Sequence, residues 1–145
     1  MLISDVLQRK GSDVVRVVAS DSVTSAVKKL SERRIGAVIV EDRWMKLVGI
    51  FSERDLLNAL ARRGPQVLDC QVQELMTLPV TTCRSSDRID AALAMMTLKR
   101  IRHLPVVNDG ERKGIISIGD LVKHRLDEKE LEASVLLQIS RMRAE

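Results

Sequence analysis

One nine-residue pattern occurs twice in this chain and constrains its fold more than any other feature. Both copies fit G-I-hydrophobic-S-x-x-D-L-hydrophobic, in residues 49–57 (GIFSERDLL) and residues 114–122 (GIISIGDLV). A short apolar run precedes each copy, at residues 37–40 and 104–107, and such runs are typical of buried strands. An internal repeat of this length predicts that the fold is built from two copies of one supersecondary unit.

A helical pattern lies further upstream of each copy. Apolar residues recur there on one helix face, namely Val23, Ala26, Val27 and Leu30 in the first half and Ile89, Ala92, Leu93 and Met96 in the second. A strand is predicted before each helix, over residues 14–18 and 80–82. The order strand, helix, strand, strand, helix in each half predicts an α/β (α+β) fold of two β-α-β-β-α units.

Residues 62–65 (RRGP) form the predicted linker between the units, because Gly and Pro interrupt regular structure there. The first unit is therefore predicted over residues 1–63 and the second over residues 64–145. A unit of about 60 residues buries only a marginal core, so the units are expected to pack on each other through their sheets about a pseudo-twofold axis. That packing would leave clefts between them.

The C-terminal part of the chain predicts an extended helix that continues past the second copy. Leu131, Val135, Ile139 and Met142 continue an apolar stripe at helical spacing. Either the body of this chain or the same stripe on a second chain would have to cover it. The sequence leaves both alternatives open.

Composition narrows the function classes. The chain has 24 basic and 20 acidic residues, a formal charge of +4, and 1% aromatic residues, so it permits anionic ligands but offers few rings on which bases could stack. Motifs of hydrolases, P-loop proteins, dinucleotide-binding folds and zinc proteases are absent. We therefore expect no catalytic residue and no metal site. The two cysteines form no CxxC pattern and are expected to be reduced, and the sequence has no pattern of a targeting or membrane segment. We therefore predict a cytoplasmic protein.

The Ser-x-x-Asp part of the repeat has two interpretations. Ser52 and Ser117 would each end a strand and open a helix, where Ser and an acid three residues later form a capping box. The same geometry suits a ligand, because a helix N-terminus attracts phosphate and a carboxylate there can accept from two sugar hydroxyls. Both interpretations stay open from the motif alone.

Taken together, the tandem units and the repeated G-I-h-S-x-x-D-L pattern resemble the cystathionine-β-synthase (CBS) domain pair, also called a Bateman module. The resemblance runs from about Ser4 to Leu126 and includes the upstream helix and turn in both halves. It implies an adenosyl-ligand site in each cleft, with the motif Asp on the ribose hydroxyls and Ser near the phosphate or ribose.

Carried over by position, the resemblance implies that Asp55 and Ser52 serve the first site and that Asp120 and Ser117 serve the second. A basic pair before the second strand contacts phosphate in several members, and Arg102 and His103 occupy that place in the second half. The first half has Ile35 and Gly36 there, so Arg54 would supply its charge. The remaining predicted nucleotide-binding residues are Thr82, Pro105 and Ala37.

The resulting functional hypothesis is a non-catalytic regulatory module that senses energy or redox state by binding AMP, ADP, ATP or NAD(H). In one version NAD(H) uses Arg54 for its pyrophosphate, while AMP or ADP occupies the cleft of Arg102. A homodimer is expected, through the module faces or the tail helix, with an enzyme or transporter as regulated partner. The alternative is a ligand-free adaptor that acts through its dimer face and tail helix. The basic net charge also suggests nucleic-acid binding, which is the weakest of the three hypotheses. We expect neither nucleic acid nor a membrane as a partner.

Overall fold

The computed structural model describes residues 1–11 and 14–144 and shows a mixed α/β fold. In chain order the elements are α1 (Ile3–Lys10), β1 (Arg16–Val18), α2 (Val23–Arg33), β2 (Ala37–Glu41), β3 (Leu47–Ser52), α3 (Glu53–Arg63), two 3₁₀ turns (Pro65–Asp69 and Val72–Glu74), α4 (Ile89–Lys99), β4 (His103–Asn108), β5 (Glu111–Ser117) and α5 (Ile118–Ala144). The predicted fold class is confirmed, and α1 is an element that the repeat did not predict.

Two small sheets carry the duplicated motifs. In the first sheet β1 runs parallel to β2 and β2 runs antiparallel to β3, with Val17 opposite Val40. In the second sheet β4 and β5 form an antiparallel hairpin in which His103 lies opposite Ser117. The turn of this hairpin has positive φ at Asp109 and Gly110, as the Asp-Gly pair predicts.

The strand predicted over residues 80–82 is wrong. The structure has no strand there, and the first strand of the second unit is reduced to one parallel bridge between Cys83 and Val106. Cys83 N donates to Pro105 O at 3.0 Å, and Cys83 O accepts from Val107 N at 2.8 Å. Backbone pairing at this position is therefore one residue long, and the β-branched run before it is not part of a ladder.

The segment before each unit packs into the hydrophobic core of the other unit. Ile3 and Val6 of α1 lie in the core of the second unit, beside Leu104 and Ile116. Val72, which follows the predicted linker, lies in the core of the first unit. The division of the sequence into units at residue 63 stays a prediction. In the structure, the core of each unit also contains residues from the other unit's part of the sequence.

A buried carboxylate also joins the two units. Glu41 at the end of β2 is fully buried. It accepts hydrogen bonds from Arg16 Nη1 on β1, at 3.1 Å, and from Arg112 Nε on β5. Because a buried charge requires a partner, this pair of arginines fixes the β2 end of the first sheet against the second.

The predicted extended helix is confirmed as α5, which has 27 residues. Leu121 and His124 in its first part are buried, whereas Leu131, Val135, Ile139 and Met142 are exposed by 41% to 75%. The body of this chain therefore does not cover the stripe. None of the described helices combines the length and apolarity that a membrane span requires.

Candidate functional site

The repeated Ser-x-x-Asp forms a capping box at the start of α3 and the equivalent cap at the start of α5. Asp55 Oδ2 accepts from Ser52 N at 2.9 Å, and Ser52 Oγ accepts from Asp55 N at 3.3 Å. Asp120 Oδ2 accepts from Ser117 N at 2.9 Å, and Ser117 Oγ accepts from Asp120 N at 3.1 Å. The capping interpretation is correct for both copies, and it leaves lone pairs of each carboxylate for other donors.

The first cleft is a cavity of about 180 Å³ beside Asp55 and Ser52 at the start of α3. Four further charged residues line this cavity beside Ser52 and Asp55: Glu53, Arg54, Arg100 and Arg102. Thr77 Oγ1 donates to Asp55 Oδ1 at 2.8 Å from the cleft wall. The Ser-Asp pair of the first unit therefore faces a basic segment, residues 100–103, that belongs to the second unit.

The second cleft is a cavity of about 280 Å³ beside Asp120 and Ser117 at the start of α5. Its lining includes Lys10, Val15, Ala37 and Ile115. Arg34, Ile35 and Gly36, which precede β2 of the first unit, complete it. Gly36 and His103 line both cavities, so the two clefts are neighbours on either side of these residues.

Arg102 does not share a cleft with Asp120, contrary to the prediction. It lines the first cleft together with Asp55 and Arg54, so the prediction that Arg54 and Arg102 lie in different clefts is wrong. The packing of the units explains this, because it places residues 100–103 against the start of α3, where Arg54 Nη1 donates to Arg100 O at 3.5 Å. Each cleft thus combines the motif of one unit with the segment before the middle strand of the other.

The remaining predicted residues divide into two groups. Ala37 lines the second cleft, whereas Pro105 and Thr82 line neither cavity. Pro105 is buried in β4, opposite Ile115. Sequence reasoning missed Thr77, because it lies in an irregular segment whose one strand-like contact is the bridge to Ile50.

Lys10 and Arg34 were also missed at the second cleft. Lys10 is the last residue of α1, and its Nζ donates to Asp120 Oδ2 at 2.7 Å and to Ile115 O at 2.8 Å. Arg34 follows α2 in the left-handed conformation, with φ of 53°. Each lies beyond the repeated motif and far from Asp120 in sequence, so no local pattern pointed to a shared cleft.

The protonation states of Asp120 and His103 follow from their surroundings. Burial alone would raise the pKa of Asp120, but the hydrogen bonds from Lys10 and Ser117 and the charge of Lys10 outweigh it and lower that pKa. Burial lowers the pKa of His103, and the charges of Lys10 and Arg102 lower it further, against the opposing effect of Glu53 and Asp120. At neutral pH the clefts therefore contain an ionised Asp120 and an uncharged imidazole.

No grouping of three or more His, Cys, Asp or Glu residues suited to a metal ion occurs in the described part of the chain. The chemistry that the clefts do offer is hydrogen-bond acceptance by a carboxylate at a helix N-terminus, next to cationic side chains. This combination suits a ligand that carries both vicinal hydroxyls and an anionic group.

Comparison with known proteins agrees with this architecture. The model of the CBS domain matches residues 3–62 and 72–127. By sequence, the chain is 32% identical to "CBS domain-containing protein CBSX3, mitochondrial" of Arabidopsis thaliana, over 92% of this chain and 71% of that protein.

Two solved structures have the same fold. The CBS-domain containing protein ATU1752 from Agrobacterium tumefaciens is 43% identical, with a TM-score of 0.83 over 86% of this chain and 92% of that one. The CBS domain protein PAE2072 from Pyrobaculum aerophilum, complexed with AMP, is 29% identical, with a TM-score of 0.77 over 92% of this chain and 99% of that one. With both repeats matched in order and the fold shared over most of its length, this chain belongs to the CBS domain family and its two units form a CBS pair.

Proposed function

We propose that this CBS pair is a non-catalytic regulatory module that binds an adenine nucleotide in the clefts between its units. The observation that carries the proposal is the placement of Asp55 and Asp120, each at a helix N-terminus and each beside a cavity that the two units form together. A carboxylate in that position can accept from both hydroxyls of a ribose, while the helix N-terminus and nearby cations attract phosphate.

The surroundings of the two carboxylates favour a nucleotide over other diols. Arg54, Arg100 and Arg102 supply positive charge in the first cleft, and Lys10 and Arg34 supply it in the second. Aliphatic residues such as Ile50, Ala37 and Ile115 line the cavity walls and could hold a purine without aromatic stacking. The AMP that the similar Pyrobaculum protein holds supports an adenine ligand for this chain.

Regulation would follow from the way the clefts are built. Because each cleft takes residues from both units, a ligand that fills it favours one relative arrangement of the units over another. Such a ligand can shift the arrangement only by as much as its affinity differs between the two states. We propose that this change is what a target enzyme or transporter detects.

Calorimetric titration and thermal unfolding with AMP, ADP, ATP and NAD(H) test the proposal. A ligand present at about 100 times its dissociation constant is expected to add about 2.7 kcal/mol of stability. Asp55→Asn and Asp120→Asn should each abolish or strongly weaken one binding event. Asp5→Asn is the matched control, because Asp5 caps α1 through Leu2 N at 2.9 Å and lines none of the clefts. Absence of any stabilisation at millimolar ligand would refute the proposal and leave the adaptor alternative.

The exposed tail of α5 is a specific observation in favour of self-association. Its apolar stripe continues the face that Leu121 and His124 bury against the body. Acidic residues flank the start of the stripe at positions 127, 128, 130 and 132, with Lys129 among them, and basic residues flank its end at positions 141 and 143. An antiparallel second copy would place these opposite charges beside each other. We therefore propose that the tail pairs with the tail of a second copy, whether or not the clefts are occupied.

A further inference from the structure

The aspartates of the two motifs have different partners, and this asymmetry is not visible in the repeat itself. Asp55 accepts from a neutral hydroxyl, Thr77 Oγ1, at 2.8 Å. Asp120 accepts from an ammonium group, Lys10 Nζ, at 2.7 Å. Neither partner belongs to the repeated motif. Thr77 comes from the second unit and contacts the motif of the first, and Lys10 comes from the first unit and contacts the motif of the second.

Lys10 and Thr77 lie in equivalent segments of the two units, each before the strand or bridge that pairs in parallel with a middle strand. Lys10 lies in the segment that leads to Val17, which pairs with the middle strand of the first sheet. Thr77 lies in the segment that leads to Cys83, which bridges to Val106 of the second sheet in the same parallel sense. Each segment thus enters one unit while its polar side chain contacts the motif Asp of the other. The partner of the motif Asp is a threonine from one of these segments and a lysine from the other.

This difference changes what a sugar must displace. Ribose hydroxyls that donate to Asp55 compete with the Thr77 hydroxyl, which is neutral and can turn to water at little cost. Asp120 Oδ2 already accepts from Ser117 N and from Lys10 Nζ, so a pair of ribose hydroxyls that donates to both oxygens of Asp120 competes with Lys10 at Oδ2. The side chain of Lys10 is 33% exposed, and its other contact is Ile115 O at 2.8 Å. A partly buried ammonium that loses its counterion is destabilised unless the ligand brings a negative charge within reach.

We propose that Lys10 is a specificity-determining residue that makes the second cleft selective for phosphorylated over uncharged adenine ligands. A phosphate group restores a charge-assisted hydrogen bond to Nζ after the ribose has occupied the carboxylate. Adenosine has no such group and leaves Lys10 without a counterion. This inference rests on the proposed function, because it assigns the ligand class of one of its two clefts.

Calorimetric titration of AMP and adenosine in an Asp55→Asn background isolates the second cleft. We expect AMP to bind this background more tightly than adenosine, and Lys10→Thr, which copies the partner of Asp55, to reduce that preference by about tenfold or more, the usual effect of one charge-assisted hydrogen bond. Lys10→Arg should retain the preference.

Arg9→Thr is the matched control. It removes the adjacent cation, whose Nη1 pairs with Asp127 Oδ2 at 2.8 Å on the surface rather than with a motif Asp. The AMP-to-adenosine preference should change by less than about twofold in this variant, as expected for an exposed pair. Thermal unfolding of each variant without ligand verifies that the fold is retained.

The outcomes separate the inference from the function on which it rests. If neither AMP nor adenosine binds the wild-type protein or the Asp55→Asn background, the proposed function fails and the inference fails with it. If both bind but Lys10→Thr weakens them by the same factor, or leaves both unchanged, Lys10 does not determine specificity. That second result overturns the inference and leaves the adenine-binding function standing.

Discussion

Replacement of Arg112 by methionine tests whether the two units are held together by the buried carboxylate of Glu41. Glu41 is fully buried on β2, and Arg112 reaches it from β5 of the other unit. Methionine retains most of the apolar length of the arginine stem but cannot donate to the carboxylate. Glu41 would then keep a single ion-pair partner, Arg16 Nη1 at 3.1 Å.

The expected loss of stability is intermediate between that of a surface pair and that of a fully broken buried pair. Removing one partner of a buried ion pair typically costs about 3–5 kcal/mol, because the other charge stays buried alone. Here Arg16 still compensates Glu41, and the side chain of Arg112 is 21% exposed. We therefore expect a loss of about 2 kcal/mol, which lowers the melting temperature of a chain of this size by about 6 °C.

Denaturant unfolding followed by far-UV circular dichroism measures this loss. Arg16→Met is the matched control, because it removes the other partner of the same carboxylate. The side chain of Arg16 is 41% exposed and lies in the same unit as Glu41. We expect about 1 kcal/mol for this control. An Arg112→Met variant as stable as the wild type, or more stable than Arg16→Met, would contradict the conclusion that Glu41 joins the units.

Two further predictions concern the motif and the tail. The pKa of Asp120 is lowered on folding, so its ionised form stabilises the fold above its unfolded pKa of about 3.9, and this contribution is lost as the pH falls through the lower folded value. The melting temperature of the wild type should therefore exceed that of Asp120→Asn at about pH 6, and the difference should shrink toward about pH 3; a difference that grows in acid would contradict this assignment. For the proposed tail pairing, light scattering should show a monomer for Ile139→Asp and a dimer for Leu57→Asp, which changes an exposed position on α3 of the body. Dissociation by Leu57→Asp alone would place the interface on the module face instead.

The local elements were predictable because short-range interactions determine them. The two copies of G-I-h-S-x-x-D-L contain a strand end and a helix start, and the cap between Ser and Asp forms within each copy. The apolar stripe that ends at Met142 likewise predicts a helix by its spacing alone. Hydrogen bonds and side-chain contacts over three or four residues are sufficient for such elements. The exception, residues 80–82, shows that a β-branched run becomes a strand only where a neighbouring strand can pair with it.

The partners in each cleft were decided by tertiary structure. The sequence determined that Asp55 and Asp120 lie in the first turns of equivalent helices, but not that Arg102 lies beside Asp55 or that Lys10 pairs with Asp120. Those contacts join residues that are distant along the chain, and they depend on how the two units pack against each other. An internal repeat carries the pattern of each unit, whereas the face that one unit presents to the other results from the packing of the whole chain.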